Sequence, residues 1–231
     1  MTRPYYPIFL DLAERPILVI GGGELALEKV RGLLAAQAVI TVVAPNLIPE
    51  LAQLRDEGVL IHIARGYRQG DMDGHAIIMA AMEDRSANVE LQRDARATGV
   101  LINAADDPAH CDFILPAVVR EPPLTLAIST GGGSPAIARR LREELSHYLS
   151  ADTAPMAGLV AEVRADLRRR GVFRAIPADD WQTAMDGHLR ALLSQRRRGR
   201  AKALLLGRLG APLSSREASD APLVACRTEQ P

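Results

Sequence analysis

The stretch "PILVIGGGELALEK", Pro16 to Lys29, constrains the fold more than any other part of this chain. A short apolar run stops at three consecutive glycines, and helical spacing begins at once, with Ala26, Val30, Leu33 and Leu34 on one face. A strand with no polar alternation is one that expects cover on both faces. The pattern then repeats. "VITVVAP" is a second β-branched run, "IPELAQLRDEG" reads as a helix ending at Gly58, and "VLIHIA" and "HAIIMAA" are further strands. A polar helix from about Asp84 to Thr98 leads into "VLINAA". Strand and helix in turn, joined by short links, predict a Rossmann-like α/β domain on a parallel sheet over residues 1–115.

The glycines carry chemistry in that setting. Gly21 and Gly23 take the first two positions of G-x-G-x-x-A, and Ala26 takes the third. Gly21 permits a tight turn, Gly23 lets the backbone approach a pyrophosphate, and Ala26 allows close helix–strand packing. The helix N-terminus offers unpaired N–H groups to the phosphates. A dinucleotide site would carry an acidic residue for the ribose at the end of the second strand, but Ala44, Pro45 and Asn46 stand there. No arginine stands there for a 2′-phosphate either, which puts NAD ahead of NADP.

After Pro116 the pattern changes. "PLTLAIST" is a strand, "GGGSP" follows, and Ser134 with Pro135 makes a good helix cap and first turn. In "AIARRLREELSHYL" the residues Ile137, Leu141, Leu145 and Tyr148 form the stripe expected to be buried. Arg139, Arg140 and Arg142 fall off it. They suit a solvated face, or an anion pocket built with Thr130 and the glycine amides; spacing supports both equally. Residues 116–150 therefore read as a small α+β region. Residues 151–209 read as a helical C-terminal domain broken near "IPADD" and rich in arginine, and 210–231 as a flexible tail.

The chain's 28 basic and 28 acidic side chains cancel, so nothing global argues for nucleic acid or an anionic membrane. Cys111 and Cys226 form no metal-like spacing and no disulfide framework. With neither a signal-peptide pattern nor an apolar run long enough for a span, the expectation is a cytoplasmic protein.

One stretch remains. In "VLINAADDPAHCDFILPA" an apolar run ends in Asn103, and Asp106 and Asp107 sit side by side before a proline. Adjacent aspartates before proline are ordinary turn chemistry. A carboxylate at the carboxyl end of a strand is also where open α/β sheets keep their ligands. His110 and Cys111 follow, but one of each is no metal site, and no metal ligands are assigned.

Together these pieces resemble the precorrin-2 dehydrogenases and the N-terminal module of siroheme synthase. The resemblance rests on Pro7-Ile8-Phe9-Leu10-Asp11-Leu12, on Gly21 to Lys29, and on the turn Ala81-Met82-Glu83-Asp84. It continues in Asn103, Asp106, Pro108, Phe113, Ile114 and Pro116, then in Ser129 through Arg142, and it fades after about residue 150. It implies NAD-dependent oxidation of precorrin-2 to sirohydrochlorin on the route to sirohaem or cobalamin, and a homodimer paired through the region after the dinucleotide domain. Some members also insert Fe²⁺ or Co²⁺ into the product. By the same mapping Asp106 is the acid/base, while Gly21, Gly22, Gly23, Glu24, Leu25, Pro45 and Asn46 contact the cofactor. Asn103, Ser129, Thr130, Gly131, Gly132, Gly133 and Arg139 fall at the tetrapyrrole. The rival reading is a regulatory domain that binds NAD as a sensor without turnover, like those gating potassium transporters. It would share the first glycine motif and leave the Asp106 motif and the second glycine cluster without a purpose.

Overall fold

The computed structural model describes residues 4–82, 84–149 and 153–211. Glu83 of the turn motif, Cys226 and the tail from residue 212 lie outside the described residues. The chain divides into two compact units. One runs to Leu115 and includes Gly131–Gly133; the other holds Pro116–Thr130 and the residues from Ser134 onward.

In the first unit β1 (Pro16–Ile20), α1 (Glu24–Leu34), β2 (Val39–Val43), α2 (Pro49–Asp56) and β3 (Ile61–Ile63) follow in order. They are succeeded by β4 (Ile77–Ala80), α3 (Asn88–Thr98) and β5 (Leu101–Ala104). All neighbouring strands are parallel, in the order β3-β2-β1-β4-β5. Side chains alternate between faces along a strand, and β1 shows why its sequence does not. Ile17 and Val19 pack with Ala26 and Val30 of α1 and Leu51 of α2, while Leu18 and Ile20 pack with Leu91 and Ala95 of α3. With helices on both faces, every position after Pro16 is an inside position. The strand order reverses between β1 and β4, which opens a crevice at their carboxyl ends.

The second unit starts with an antiparallel hairpin of β6 (Ala117–Glu121) and β7 (Leu124–Ile128). The sequence pattern marks β7 and not β6, where Ala-Val-Val-Arg-Glu lacks the alternation that Leu-Thr-Leu-Ala-Ile shows. α4 (Pro135–Tyr148) is capped as expected, with the Ile137 N–H donating to Ser134 Oγ at 3.3 Å. Its apolar stripe corrects the expectation. Ile137 is 55% and Tyr148 60% exposed, Leu141 is exposed, Leu145 is half-buried, and only Ala138 of the helix is buried. A two-stranded ribbon is too narrow to cover the face that the periodicity announces.

Among the described residues, four helices follow in this unit: α5 (Ala154–Arg169), α6 (Ala178–Ala184), α7 (Gly187–Ser194) and α8 (Arg198–Arg208). Leu159, Val163 and Leu167 of α5 pack with Leu189 and Leu193 of α7 and Leu205 and Leu206 of α8. The break near "IPADD" is a 3₁₀ turn at Phe173–Ala175 followed by Pro177. Several arginines are used internally. Arg164 and Arg168 lie over the Phe173 ring at 5.2 and 4.8 Å, and Glu162 takes Arg198 and Lys202 at 2.7 and 3.0 Å.

Asp186 joins α7 to α8. Its Oδ1 accepts the Leu189 N–H at 3.0 Å as the cap of α7, and its carboxylate takes Arg208 at 2.6 and 2.8 Å. Arg208 first, and then the Leu189 N–H, hold the Asp186 carboxyl well below the usual carboxylate range. A folded-state pKa lowered in this way adds stability above the unfolded value, about 3.9 for Asp, and loses it as the pH falls toward the folded one. Asp186→Ala is expected to lower the Tm near neutral pH, by a margin that narrows below about pH 4. Thermal melts of both proteins across that range check it.

Candidate dinucleotide and catalytic site

Three strand ends meet at the crevice. Backbone N–H groups fix their spacing: Gly21 donates to Val43 at 3.0 Å, Ala81 to Ile20 at 2.8 Å, and Ile48 to Gly22 at 2.9 Å. Gly21 has a φ of 126°, and a Cβ on it would overlap the Ala81 carbonyl oxygen. A Cβ on Gly22 would overlap the Asn46 carbonyl oxygen, so this residue is as constrained as Gly21 although the motif leaves its position open. Gly23 differs. Nothing lies within 4 Å of the place a Cβ would take, and as the residue before α1 it supplies no side-chain cap to the first-turn amides. The protein's own backbone thus requires Gly21 and Gly22, while the free side of Gly23 and the uncapped amides face open space.

That space is a pocket of about 530 Å³, lined by Gly21, Gly22, Gly23, Glu24, Leu25, Pro45 and Asn46 among others. All seven residues expected at a cofactor are therefore brought together. Gly66 and Tyr67, from the loop after β3, and Ala81 and Met82, after β4, complete the walls. Among the described residues, no lining residue carries a positive charge. A dinucleotide fits these residues: uncapped helix amides for its phosphates, a side-chain-free edge beside them, and apolar walls on either side.

The adjacent aspartates separate in the fold. Asp106 occupies the left-handed region at φ 55°, on a turn closed by the Asp107 N–H to the Ala104 carbonyl at 3.2 Å. Among non-glycine residues, Asp and Asn tolerate that conformation best. Asp106 is exposed. Asp107 turns inward, where its Oδ2 accepts from Asn88 Nδ2 at 3.0 Å and pairs with His110 Nδ1 at 2.7 Å. Asp107 and His110 fasten the loop to α3. Cys111 is buried, with its Sγ 3.1 Å from both the N–H and the carbonyl of Ala104.

Asn103 is buried too, and its Nδ2 donates to the Phe113 carbonyl at 2.9 Å. Its amide nitrogen braces the Asp106 loop from beneath. In the second glycine cluster Gly131 and Gly132 have φ values of 63° and 86°, and Thr130 Oγ1 accepts the Ser134 N–H at 2.9 Å. Ser129, Gly132 and Gly133 are exposed. On α4, Arg140 pairs with Glu144 at 2.8 Å and Arg142 with Glu143 at 3.8 Å. Arg139 is exposed with no carboxylate partner among the described residues. Sequence reasoning missed Tyr67, which bears no motif; an aromatic beside a glycine after the third strand was its one signal.

Residues 8–117 match a family model described as putative NAD(P)-binding, and residues 123–148 match one for the sirohaem biosynthesis protein central region. The siroheme synthase of Pseudomonas paraeruginosa is 36% identical over 234 residues, covering 98% of this chain and 49% of the relative. That of Azotobacter vinelandii is 37% identical over 212 residues, covering 89% and 44%. The chain belongs to the siroheme synthase family. It spans about half the length of the curated relatives it matches. A solved structure titled "SirC, precorrin-2 dehydrogenase" superposes with a TM-score of 0.69 at 27% identity, covering 86% of this chain and 99% of that one. The fold is therefore that of a family member from the sheet through the helices. No described helix is long and apolar enough to cross a membrane.

The glycine geometry makes one expectation sharp. Gly22→Ala forces the end of β2 away from the end of β1, and is expected to weaken NAD⁺ binding more than about tenfold, a change of about 1.4 kcal/mol. Titration calorimetry with NAD⁺ on the folded variant reads it.

Proposed function

We propose that this chain oxidises precorrin-2 to sirohydrochlorin with NAD⁺ as acceptor. The observation that carries the reading is the place of Asp106. It stands exposed in a left-handed turn at the carboxyl end of β5, in the unit that holds the dinucleotide pocket. The oxidation removes two electrons and two protons from the tetrapyrrole. NAD⁺, when bound, takes both electrons with one proton as a hydride. The chain then has to accept the remaining proton, and the Asp106 carboxylate is assigned that task. Asp107, Asn88, His110 and the Asn103 amide hold the turn from which it acts.

Precorrin-2 bears eight carboxylates, so its site needs cations and N–H donors. We assign it Asn103, Ser129, Thr130, the amides of Gly131–Gly133, and Arg139. Arg139 suits the part because Arg140 and Arg142 are already paired on the helix. Gly21 to Leu25, Pro45 and Asn46 are assigned to the cofactor, and residues 116–150 to pairing and substrate binding. Insertion of Fe²⁺ or Co²⁺ into the product belongs to the same reading as a second step. Among the described residues no group of three or more His, Cys, Asp or Glu could hold a metal ion.

The test is anaerobic conversion of enzymatically generated precorrin-2, followed by absorbance with NAD⁺, with NADP⁺ and with neither. NAD⁺-dependent sirohydrochlorin is expected, and Asp106→Asn should lose about a hundredfold or more in rate while still binding NAD⁺. Addition of Fe²⁺ or Co²⁺ to the same reaction reads chelation. A folded protein that binds NAD⁺ and leaves precorrin-2 unchanged would overturn the reading in favour of a sensor.

The uncovered stripe on α4 supports a homodimer. Ile137, Leu141 and Tyr148 are large, apolar and exposed on one capped helix. Ile137→Glu with Tyr148→Glu is expected to shift the protein from dimer to monomer in sedimentation velocity, with its circular dichroism unchanged.

A further inference from the structure

α3 touches no part of the pocket, yet it carries a buried acid. Asp94 is 5% exposed and lies in the middle of a helix whose sequence is otherwise polar on the solvent side. Its Oδ2 accepts the hydroxyl of Tyr67 at 3.0 Å across 27 residues of sequence, and its Oδ1 takes the Arg93 guanidinium at 3.3 Å. A buried carboxylate is costly unless it is bonded, so the pair fixes both partners. Burial first, and then the Asp94 carboxylate, push the Tyr67 phenol well above its ordinary range, so the hydroxyl keeps the proton it donates.

The rest of the Tyr67 loop is equally constrained. Arg65 lies in a two-pronged bond with Asp71, 2.7 Å on each side, and also donates to the Gly66 carbonyl at 3.0 Å. Asp71 accepts the Arg68 N–H at 2.8 Å, and Met72 is buried in the core beneath. Gly66 and Tyr67 are thereby held as a wall of the pocket, together with Pro45–Ile48 at the end of β2.

The strand order decides which end of a dinucleotide meets this wall. Asp106 follows β5, at one side of the sheet, and Tyr67 follows β3, at the other. A dinucleotide bound with its pyrophosphate at Gly23 would, as in this fold generally, turn its nicotinamide toward β4 and β5, the side of the sheet that carries Asp106. The adenosine half then lies toward β2 and β3. We infer that Tyr67 is the residue that receives the adenosine half of the cofactor, and that Asp94 is its positioning residue. The inference rests on the proposed dinucleotide reading and adds to it the contact residue and its anchor.

The test compares NAD⁺ and ADP-ribose binding by calorimetry in the wild-type chain, Tyr67→Ala, Tyr67→Phe, Asp94→Asn and the Tyr67→Phe/Asp94→Asn double variant. Steady-state rates are measured beside them. Tyr67→Ala is expected to lose about tenfold in affinity for both ligands, the scale of an aromatic contact to a base. KM for NAD⁺ should rise to match, with kcat at saturating NAD⁺ and KM for precorrin-2 unchanged. Tyr67→Phe keeps the ring, loses only the anchor, and should cost a few-fold. Asp94→Asn should add nothing to it, because Asp94 acts through the lost hydroxyl. Unchanged affinity in both Tyr67 variants overturns the inference, as does a fall in kcat or a rise in KM for precorrin-2 of the same size, which would mark general loosening. Failure of the wild-type chain to bind either ligand would instead sink the dinucleotide reading itself.

Discussion

The contact between β1 and β4 at the centre of the sheet sets the terms for everything around it. Ile17 pairs with Ile77 and Ile20 with Ala80, in parallel register, and the chain leaves both strands at the same edge. With α1 and α2 on one face and α3 on the other, that edge is where the sheet meets ligands. The glycines after β1 are then a packing requirement before they are a binding motif. Two of them stand where the backbone of the neighbouring strand ends leaves no room for a methyl, and the third stands where no protein atom comes near.

The polar side chains buried in this chain follow the same geometry. Asn88, Asp94 and Asn103 are the buried polar residues among those described. Asn88 bonds Asp107 behind the Asp106 turn, Asp94 bonds Tyr67 behind the pocket wall, and Asn103 bonds the carbonyl of Phe113. Each secures a loop at the carboxyl edge of the sheet. An unmade bond at a buried polar group costs more than a made one contributes, so these loops have few alternative positions.

How much of this was legible in the sequence depended on the range of the interaction. The alternation of strand and helix, the glycine turn and the cap at Ser134 are local patterns, and they read correctly from neighbouring residues. The turn at Asp106 and Asp107 was legible as adjacent carboxylates before a proline, but which of the two faces outward was not, and only the family resemblance singled out Asp106. The Tyr67–Asp94 bond was not legible, since nothing local ties residues 27 positions apart. The constraint on Gly22 also comes from elsewhere, from a carbonyl after β2. The stripe on α4 failed for a further reason: periodicity shows that a helix has an apolar face and is silent about what covers it.

α3 bears a consequence for how variation in this protein should be read. Asn88, Gln92 and Asp94 sit on a helix that does not line the dinucleotide pocket, yet their side chains reach Asp107, the Ala109 carbonyl and Tyr67. Substitutions there would leave every ligand-touching residue intact and still blur the loops that aim them. A survey that ranks positions by distance from the ligand would file such changes as neutral surface variation. A ranking by which loop each buried polar group holds would place them beside the strand-end loops they secure.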